Sequence, residues 1–305
     1  MPCFFPQGTL SMSGMGLSLE EILDSHRTRR PVIMGVVNVT PDSFSDGGRF
    51  FKPQAAVRHA RELLEQGADI LDVGAESTRP GSDGVPAGEQ IARLRDVLPA
   101  LAACGAVVSI DTTLSDVAAF ALEAGAQIVN DVSAGRDDPE LLALAARRRC
   151  GLVLMHMLGR ARTMQQNPQY RDVVGEVRDF LAERLAAARA AGVPEDRCIV
   201  DPGIGFGKTL EHNLALLAGT GKLLALGRPI LVGPSRKRFI GQLTGQDQAD
   251  RRAAGTVAAC LAAWRRGATV FRVHDVADLK AALAVEQAIE EAAGRFGLGL
   301  GQGGG

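Results

Sequence analysis

The sequence predicts an α/β protein folded as a single (β/α)8 TIM barrel, and three observations lead there. Short β-type runs alternate with helical stretches from about Pro31 onward. The candidate strands number eight, the count that closes a parallel barrel. Polar residues stand at the C-terminal end of nearly every candidate strand, where barrel active sites are assembled. A doubly wound open sheet uses the same βα units; the strand count and the polar strand ends weigh against it.

The first strand, Val32–Asn38, is an apolar run that ends in a carboxamide and enters the polar loop Thr40–Phe51. The second, Asp69–Val73, leads to Glu76-Ser77-Thr78-Arg79-Pro80-Gly81, and the third, Val107–Ile110, to Asp111-Thr112. Gln127–Asn130 is followed by Asp131, and Leu152–His156 ends in its own histidine. Cys198–Val200 opens into Asp201-Pro202-Gly203, and Pro229–Gly233 into Ser235-Arg236-Lys237. The last, Thr269–Arg272, continues as Val273-His274-Asp275. Between strands, segments such as Asp172–Ala191 and Arg251–Gly267 repeat apolar residues every three or four positions, the spacing of an amphipathic helix. Gly-Ala pairs at 67-68, 125-126 and 267-268 end helices and lead into strands. Residues 1–30 are expected to form an N-terminal extension, a hairpin or irregular segment at the barrel bottom; residues 31–294 the barrel; and residues 295–305 a loose glycine-rich tail.

The composition suits this fold and excludes others. Of 305 residues, 46% are apolar and only 4% aromatic, so the core is built mainly from Ala, Val, Leu and Ile. A formal net charge of -1, with arginines scattered along the chain, gives no basic field for nucleic acid. Five cysteines, none closer than 46 residues to the next, suggest neither a disulfide framework nor a cysteine-rich zinc site. The N-terminal residues lack a charged region followed by an apolar stretch, so no signal peptide or membrane span is expected. A soluble, cytoplasmic protein follows as the expectation.

A single Asp after a strand is more often a helix cap than a catalytic group, because its oxygen accepts from the free amides of the next helix. Asp111 and Asn130 fit that reading. Lys237 and His274 do not, since a cation at a helix N-terminus is opposed by the helix dipole and needs a partner of its own. Lysine is rare here, with Lys52, Lys208, Lys222, Lys237 and Lys280 set against 29 arginines. The segment Asp201–Thr209 resembles a phosphate loop but has Pro202 where that motif needs its first glycine. It reads better as a three-glycine turn that lets backbone approach a flat ligand, with Phe206 covering it. His156, between Met155 and Met157, is as much a core residue as a site residue. There is no close histidine pair for zinc; magnesium, which takes one or two protein oxygens beside substrate phosphates, is compatible with Asn38.

With these residues in view, the chain resembles the dihydropteroate synthase family of pterin-binding barrels. The resemblance rests on Asn38–Gly48 (NVTPDSFSDGG), Glu76–Gly81 (ESTRPG), Ile110–Thr112, Asn130-Asp131, Leu154–Met157 (LMHM), Asp201–Lys208 (DPGIGFGK), Gly233–Gly241 (GPSRKRFIG) and Arg272–Val276 (RVHDV), in order from about Val32 to Ala293. It implies condensation of 6-hydroxymethyl-7,8-dihydropterin pyrophosphate with p-aminobenzoate to give 7,8-dihydropteroate and pyrophosphate. It also implies Asp111, Asn130, Met155, Asp201, Phe206, Gly233, Lys237 and Arg272 around the pterin. Asn38, Thr78, Arg79, Arg272 and His274 would take the pyrophosphate, Asn38 anchoring Mg²⁺. Phe44, Thr78, Pro80, Phe206, Ser235 and Lys237 would take p-aminobenzoate, and Lys237, Asp111, Arg272 and Arg79 would carry catalysis. Sulfonamides are the implied competitors and a homodimer the implied assembly; the apolar residues of Arg251–Gly267, Trp264 among them, are available either to face the partner or to pack on the barrel. The loops Thr40–Phe51 and Thr78–Pro86 would close as lids.

Two other functions use part of this residue set. A methyltetrahydrofolate:corrinoid methyltransferase-like barrel needs the Asp and Asn pocket but not Thr78 and Arg79, and both are present. A non-catalytic pterin-binding paralogue would tolerate gaps among the catalytic positions, and none is found. The chain departs from the family pattern at Thr113–Asp116, at Pro234 beside the pocket, and at Ala75 before Glu76.

Overall fold

A computed structural model of the chain describes residues 16–40, 53–76, 84–159, 163–165 and 167–298. Eight parallel strands form one sheet: β1 Val32–Asn38, β2 Ile70–Gly74, β3 Val107–Asp111, β4 Ile128–Asp131, β5 Gly151–Met155, β6 Cys198–Asp201, β7 Leu231–Val232 and β8 Val270–Val273. Their order is β6-β5-β4-β3-β2-β1-β8-β7, and a parallel bridge between Val200 and Ile230 joins the two ends into a barrel. Helices fill the connections, as the TIM fold requires.

Boundaries differ from the expected ones mostly by a residue. Asp69 and Gln127 precede their strands, yet their N–H groups already donate to Ile33 and Val108 carbonyls, both at 2.8 Å. β7 is shorter than expected, two residues instead of Pro229–Gly233. Pro229 has no N–H to give a ladder and contributes only its carbonyl, which accepts from Val200 N–H at 3.0 Å. The helix expected over Asp172–Ala191 spans Val173–Ala190, with Asp172 accepting from Gly175 N–H as its cap. That over Arg251–Gly267 spans Ala253–Arg265 behind a 3-10 turn at Ala249–Arg252.

Period-two alternation divides each strand between two environments. Ile33, Val37, Leu71, Val73, Val108, Ile110, Val129 and Leu152 are buried with the apolar residues of the surrounding helices. Val32, Met34, Ile70, Val107, Ile128, Val153, Ile199, Leu231 and Val270 point the other way and fill the lower barrel with a second apolar cluster. Leu17, Ile22 and Leu23 close that cluster from below. In place of the expected hairpin or irregular segment, residues 19–28 form two short helices, Leu19–Leu23 and Ser25–Thr28. Ser18 caps the first and makes a reciprocal capping box with Glu21. Residues 1–15 and 299–305 lie outside the described residues. Among the described residues no helix is long and apolar enough to cross a membrane.

Candidate functional site at the barrel mouth

The alternation that puts an apolar plug in the lower barrel puts polar residues above it, on the same inward face. Counting up each strand by two from the plug reaches Asn38 on β1, Asp72 on β2, Ser109 and Asp111 on β3, Asn130 on β4, Met155 on β5, Asp201 on β6 and Arg272 on β8. The register pairs Asn38 with Gly74, Gly74 with Asp111, and Asp111 with Asn130, so these positions share a level. Met155 pairs with Asp201 on the opposite wall.

Arg272 is the hub of this layer. Its Nε donates to Asp72 Oδ2 at 2.6 Å and its Nη2 to Asp111 Oδ2 at 2.9 Å. In register it pairs with Met34, two residues below the partner of Asp72 on β1, so the length of an arginine is what brings its head to both carboxylates. Burial works against its charge, but Asp72 and Asp111 outweigh burial and hold its pKa above the ordinary value. Burial pushes Asp111 up to about 7, against the pull of Arg272 and with the help of Asp72. Asp111 Oδ1 is buried and has no hydrogen-bond partner among the described residues, which leaves it an acceptor for a ligand N–H.

The capping reading of Asp111 and Asn130 is overturned by where their neighbours lie. The helix Ser115–Glu123 takes its side-chain acceptor from Asp138, which accepts from Ser115 N–H at 2.7 Å. Asn130 donates through Nδ2 to Asp72 Oδ2 at 3.1 Å. The loop-tying role after β4 falls to Asp131, which accepts from Ser133 N–H at 2.7 Å and also from Gly135 N–H.

Across the mouth, Asp201 is buried and accepts from Gly203 N–H at 2.7 Å; burial raises its pKa, opposed by that hydrogen bond and by Lys237. The turn after it carries Gly203, Gly205 and Gly207, all at positive φ. Gly203 is the one with no alternative, since a Cβ there would stand 1.8 Å from the His156 carbonyl oxygen. Gln165 Nε2 donates to Gly205 O at 2.6 Å and Tyr170 Oη to Gly207 O at 3.0 Å, which holds the turn from outside. Phe206 packs on Val132, Met155, Met157 and Met164, and Lys237 Nζ lies 4.1 Å from its ring centroid. Lys237 Nζ also donates to the Ile204 carbonyl. Burial lowers the Lys237 pKa to about 7, with Arg272 adding to the effect and Asp201 opposing it.

Lys237 is aimed by a strained neighbour. Arg236 holds φ at 57°, a left-handed conformation that is unfavourable for a residue with a Cβ. Three contacts over-determine it: its N–H donates to Thr256 Oγ1 at 3.0 Å, its carbonyl accepts from Arg252 at 2.9 Å, and its guanidinium grips Asp275 in a fork. Ser235 Oγ accepts from His274 N–H at 3.1 Å and lies 3.0 Å from His274 Nδ1, tying the loop after β7 to that after β8. Gly233 lies against Arg272, whose Cβ is 3.6 Å from where a glycine Cβ would be.

The structure therefore brings together Asn38, Asp111, Asn130, Met155, Asp201, Phe206, Gly233, Ser235, Lys237, Arg272 and His274 at one end of the barrel. Phe44, Thr78, Arg79 and Pro80 lie outside the described residues, as do most of both expected lid loops. Trp264 packs within the chain: it is buried, its carbonyl accepts from Arg29 and the Arg29 guanidinium lies 5.9 Å over its ring.

Two residues were missed. Asp72 sits mid-strand, where a search of strand ends does not look; an acid inside an otherwise apolar strand was the available signal. Lys208 stands in the sequence only as one of the rare lysines, at the end of the glycine-turn motif. It is buried, and its Nζ meets Phe206 O at 2.9 Å, His156 Nδ1 at 3.0 Å and His156 O at 3.5 Å. His156 is thus neither idle core nor a mouth residue: burial and Lys208 depress its pKa to about 3, so it stays neutral and serves as an acceptor beneath the turn.

Chemically, the mouth offers carboxylate and amide acceptors on one side, a lysine on the other, and an arginine beside a histidine above them. That set suits a flat ring rich in N–H donors carrying an anionic group. Among the described residues no group of three or more His, Cys, Asp or Glu could hold a metal.

Comparison with known proteins agrees with this reading. Residues 34–274 match the family described as pterin-binding enzymes. The chain is 48% identical to the dihydropteroate synthase of Neisseria meningitidis serogroup B over 265 residues, covering 85% of this chain and 93% of that one. Among solved structures it is similar to Xanthomonas albilineans dihydropteroate synthase with 4-aminobenzoic acid, at 49% identity and a TM-score of 0.81, covering 86% of this chain and 93% of the other. It is also similar to a Yersinia pestis dihydropteroate synthase in a sulfonamide drug complex, at 39% identity and a TM-score of 0.81, covering 86% and 95%.

Proposed function

The chain belongs to the pterin-binding enzyme family, and from that premise we propose that it is a dihydropteroate synthase. It joins 6-hydroxymethyl-7,8-dihydropterin pyrophosphate to p-aminobenzoate and releases pyrophosphate. The observation that carries this reading is the mouth itself: Asp111, Asn130 and Asp201 as acceptors, with Lys237 and Arg272 as fixed cations.

Asp201 would take the 2-amino and N3 edge of the pterin, which is rich in donors, and Asn130 and Asp111 the remaining ring nitrogens. Lys237 would donate to the carbonyl side. Arg272, anchored by Asp72 and Asp111, cannot swing away and would lie against the ring while its charge faces the pyrophosphate. His274, Asn38, Thr78 and Arg79 would complete the anion site. The carboxamide of Asn38, a hard oxygen at the end of β1, fits Mg²⁺ held otherwise by water and phosphate, and that ion would offset leaving-group charge.

The C–O bond to pyrophosphate breaks first and leaves a cation at the exocyclic methylene, delocalised into the pterin. The arylamine lone pair then forms the C–N bond, and the nitrogen, acidified by alkylation, loses its proton to water. No strong general base is needed. Fixed donors aimed at the departing charge supply the rate, each worth about 3 kcal/mol where such donors have been removed from enzymes. Phe206 and Ser235, with Phe44, Thr78 and Pro80, would hold p-aminobenzoate, and sulfonamides would compete there.

We place the protein in the cytoplasm as a homodimer. Its support is an apolar groove of about 370 Å³ between the helices Leu210–Ala218, Arg238–Thr244 and Ala253–Arg265, with Leu214 and Leu243 exposed at its edge. The activity is tested by incubating the protein with Mg²⁺, the pterin pyrophosphate and labelled p-aminobenzoate. Labelled dihydropteroate is expected, suppressed by a sulfonamide; pterin binding without product would mean a binding protein instead.

A further inference from the structure

We propose that Asp72, wholly buried between Asn130 and Arg272, is a positioning residue for pterin recognition: its Oδ2 turns the Asn130 carbonyl oxygen toward the mouth and sets the plane of Arg272. This rests on the pterin reading of the mouth. Asp72 is wholly buried on the inward face of β2. Asn130 Nδ2, at 3.1 Å, and Arg272 Nε, at 2.6 Å, both donate to its Oδ2, while its Oδ1 is buried with no partner among the described residues.

A carboxylate held against arginine accepts and does not donate, so the group of Asn130 that faces it must be the NH₂. The amide oxygen is then directed away from Asp72. Without this partner both amide orientations would be available, one of them presenting a donor where a ring N–H must be received. Arg272 is fixed by the same oxygen. With Nε on Asp72 and Nη2 on Asp111, one edge of the guanidinium is pinned and its plane is determined. One atom thus governs two ligand-facing groups that lie on strands far apart in sequence, β4 and β8.

Two substitutions separate acceptance from charge. In Asp72→Asn the amide oxygen can stand where Oδ2 stands and accept both donors without the charge. Asp72→Val fits a strand, has a similar volume and accepts nothing. Steady-state kinetics would be measured for each substrate, with a thermal melt as the folding control. The valine variant is expected to raise the pterin pyrophosphate KM about tenfold or more and leave the p-aminobenzoate KM within about twofold. The asparagine variant should stay within about threefold of the parent for both. A valine variant with the parent's pterin KM overturns the proposal, and so do asparagine and valine variants impaired alike, because charge alone would then be responsible. If the valine variant does not fold, Asp72→Ala is judged by the same criteria. If the parent forms no dihydropteroate, the activity has failed and not this role, which is then read from direct titration of pterin pyrophosphate into each variant.

Discussion

Lys237 stands where burial and two charges compete. Burial and Arg272 lower its pKa to about 7, and Asp201 only partly resists. Asp111 is raised to about 7 by burial, resisted by Arg272. The signs follow from the charged forms. The lysine donates as an ammonium, present below its pKa and lost as pH rises through it; Asp111 pairs with Arg272 as a carboxylate, present above its pKa and lost as pH falls. The free protein is therefore expected to show a narrow bell in kcat/KM for the pterin substrate, centred near neutrality, both limbs belonging to the coupled set. Lys237→Arg, whose guanidinium stays charged, should abolish the basic limb and keep the acidic one. A basic limb unchanged in that variant would contradict the assignment. Asp111, Asn130, Asp201 and Arg272 were legible in the sequence because each stands at or beside a strand end, and Lys237 because it is a rare lysine in the loop after one. Asp72 was not, because its importance depends on how far an arginine reaches from another strand. Whether Asp111 capped a helix was likewise settled only by Asp138 arriving from elsewhere in the chain.

At the scale of elements, the glycine turn after β6 has the most demanding geometry. Gly203 has φ of 68° and no room for a Cβ, whereas Gly227 has φ of 64° and nothing within 4 Å of its Cβ position. Gly227→Ala should cost about 1 kcal/mol, the conformational penalty alone. Gly203→Ala adds a backbone clash and should cost about 3 kcal/mol or more, read from urea midpoints. Equal losses would mean that the close approach to His156 is unimportant. The sequence carried the three glycines and the eight strands, since turn chemistry and period-two burial are local. It did not carry the length of β7, which depends on Pro229 contributing a carbonyl but no N–H, nor the helices at residues 19–28, whose burial depends on the barrel bottom they cover.

For the whole molecule, one alternation rule separates stability from function. Inward residues low in the barrel form an apolar plug closed by Ile22 and Leu23, and inward residues above it form the site. The exterior retains the groove edged by Leu214 and Leu243, 40% and 55% exposed. If a second copy covers it, Leu243→Asp should shift the protein from dimer to monomer in sedimentation while the monomer still binds pterin. An unchanged dimer would move the interface to another face.

Dihydropteroate formation at this mouth requires Asp201 to receive the donor edge of a pterin. The most direct test compares kcat/KM for dihydropteroate formation in the parent and in Asp201→Ala, with folding checked by melting. Removing this acceptor should lower kcat/KM about a hundredfold or more, mainly through the pterin substrate. A variant that makes dihydropteroate at the parent's rate would place the pterin elsewhere and contradict the account.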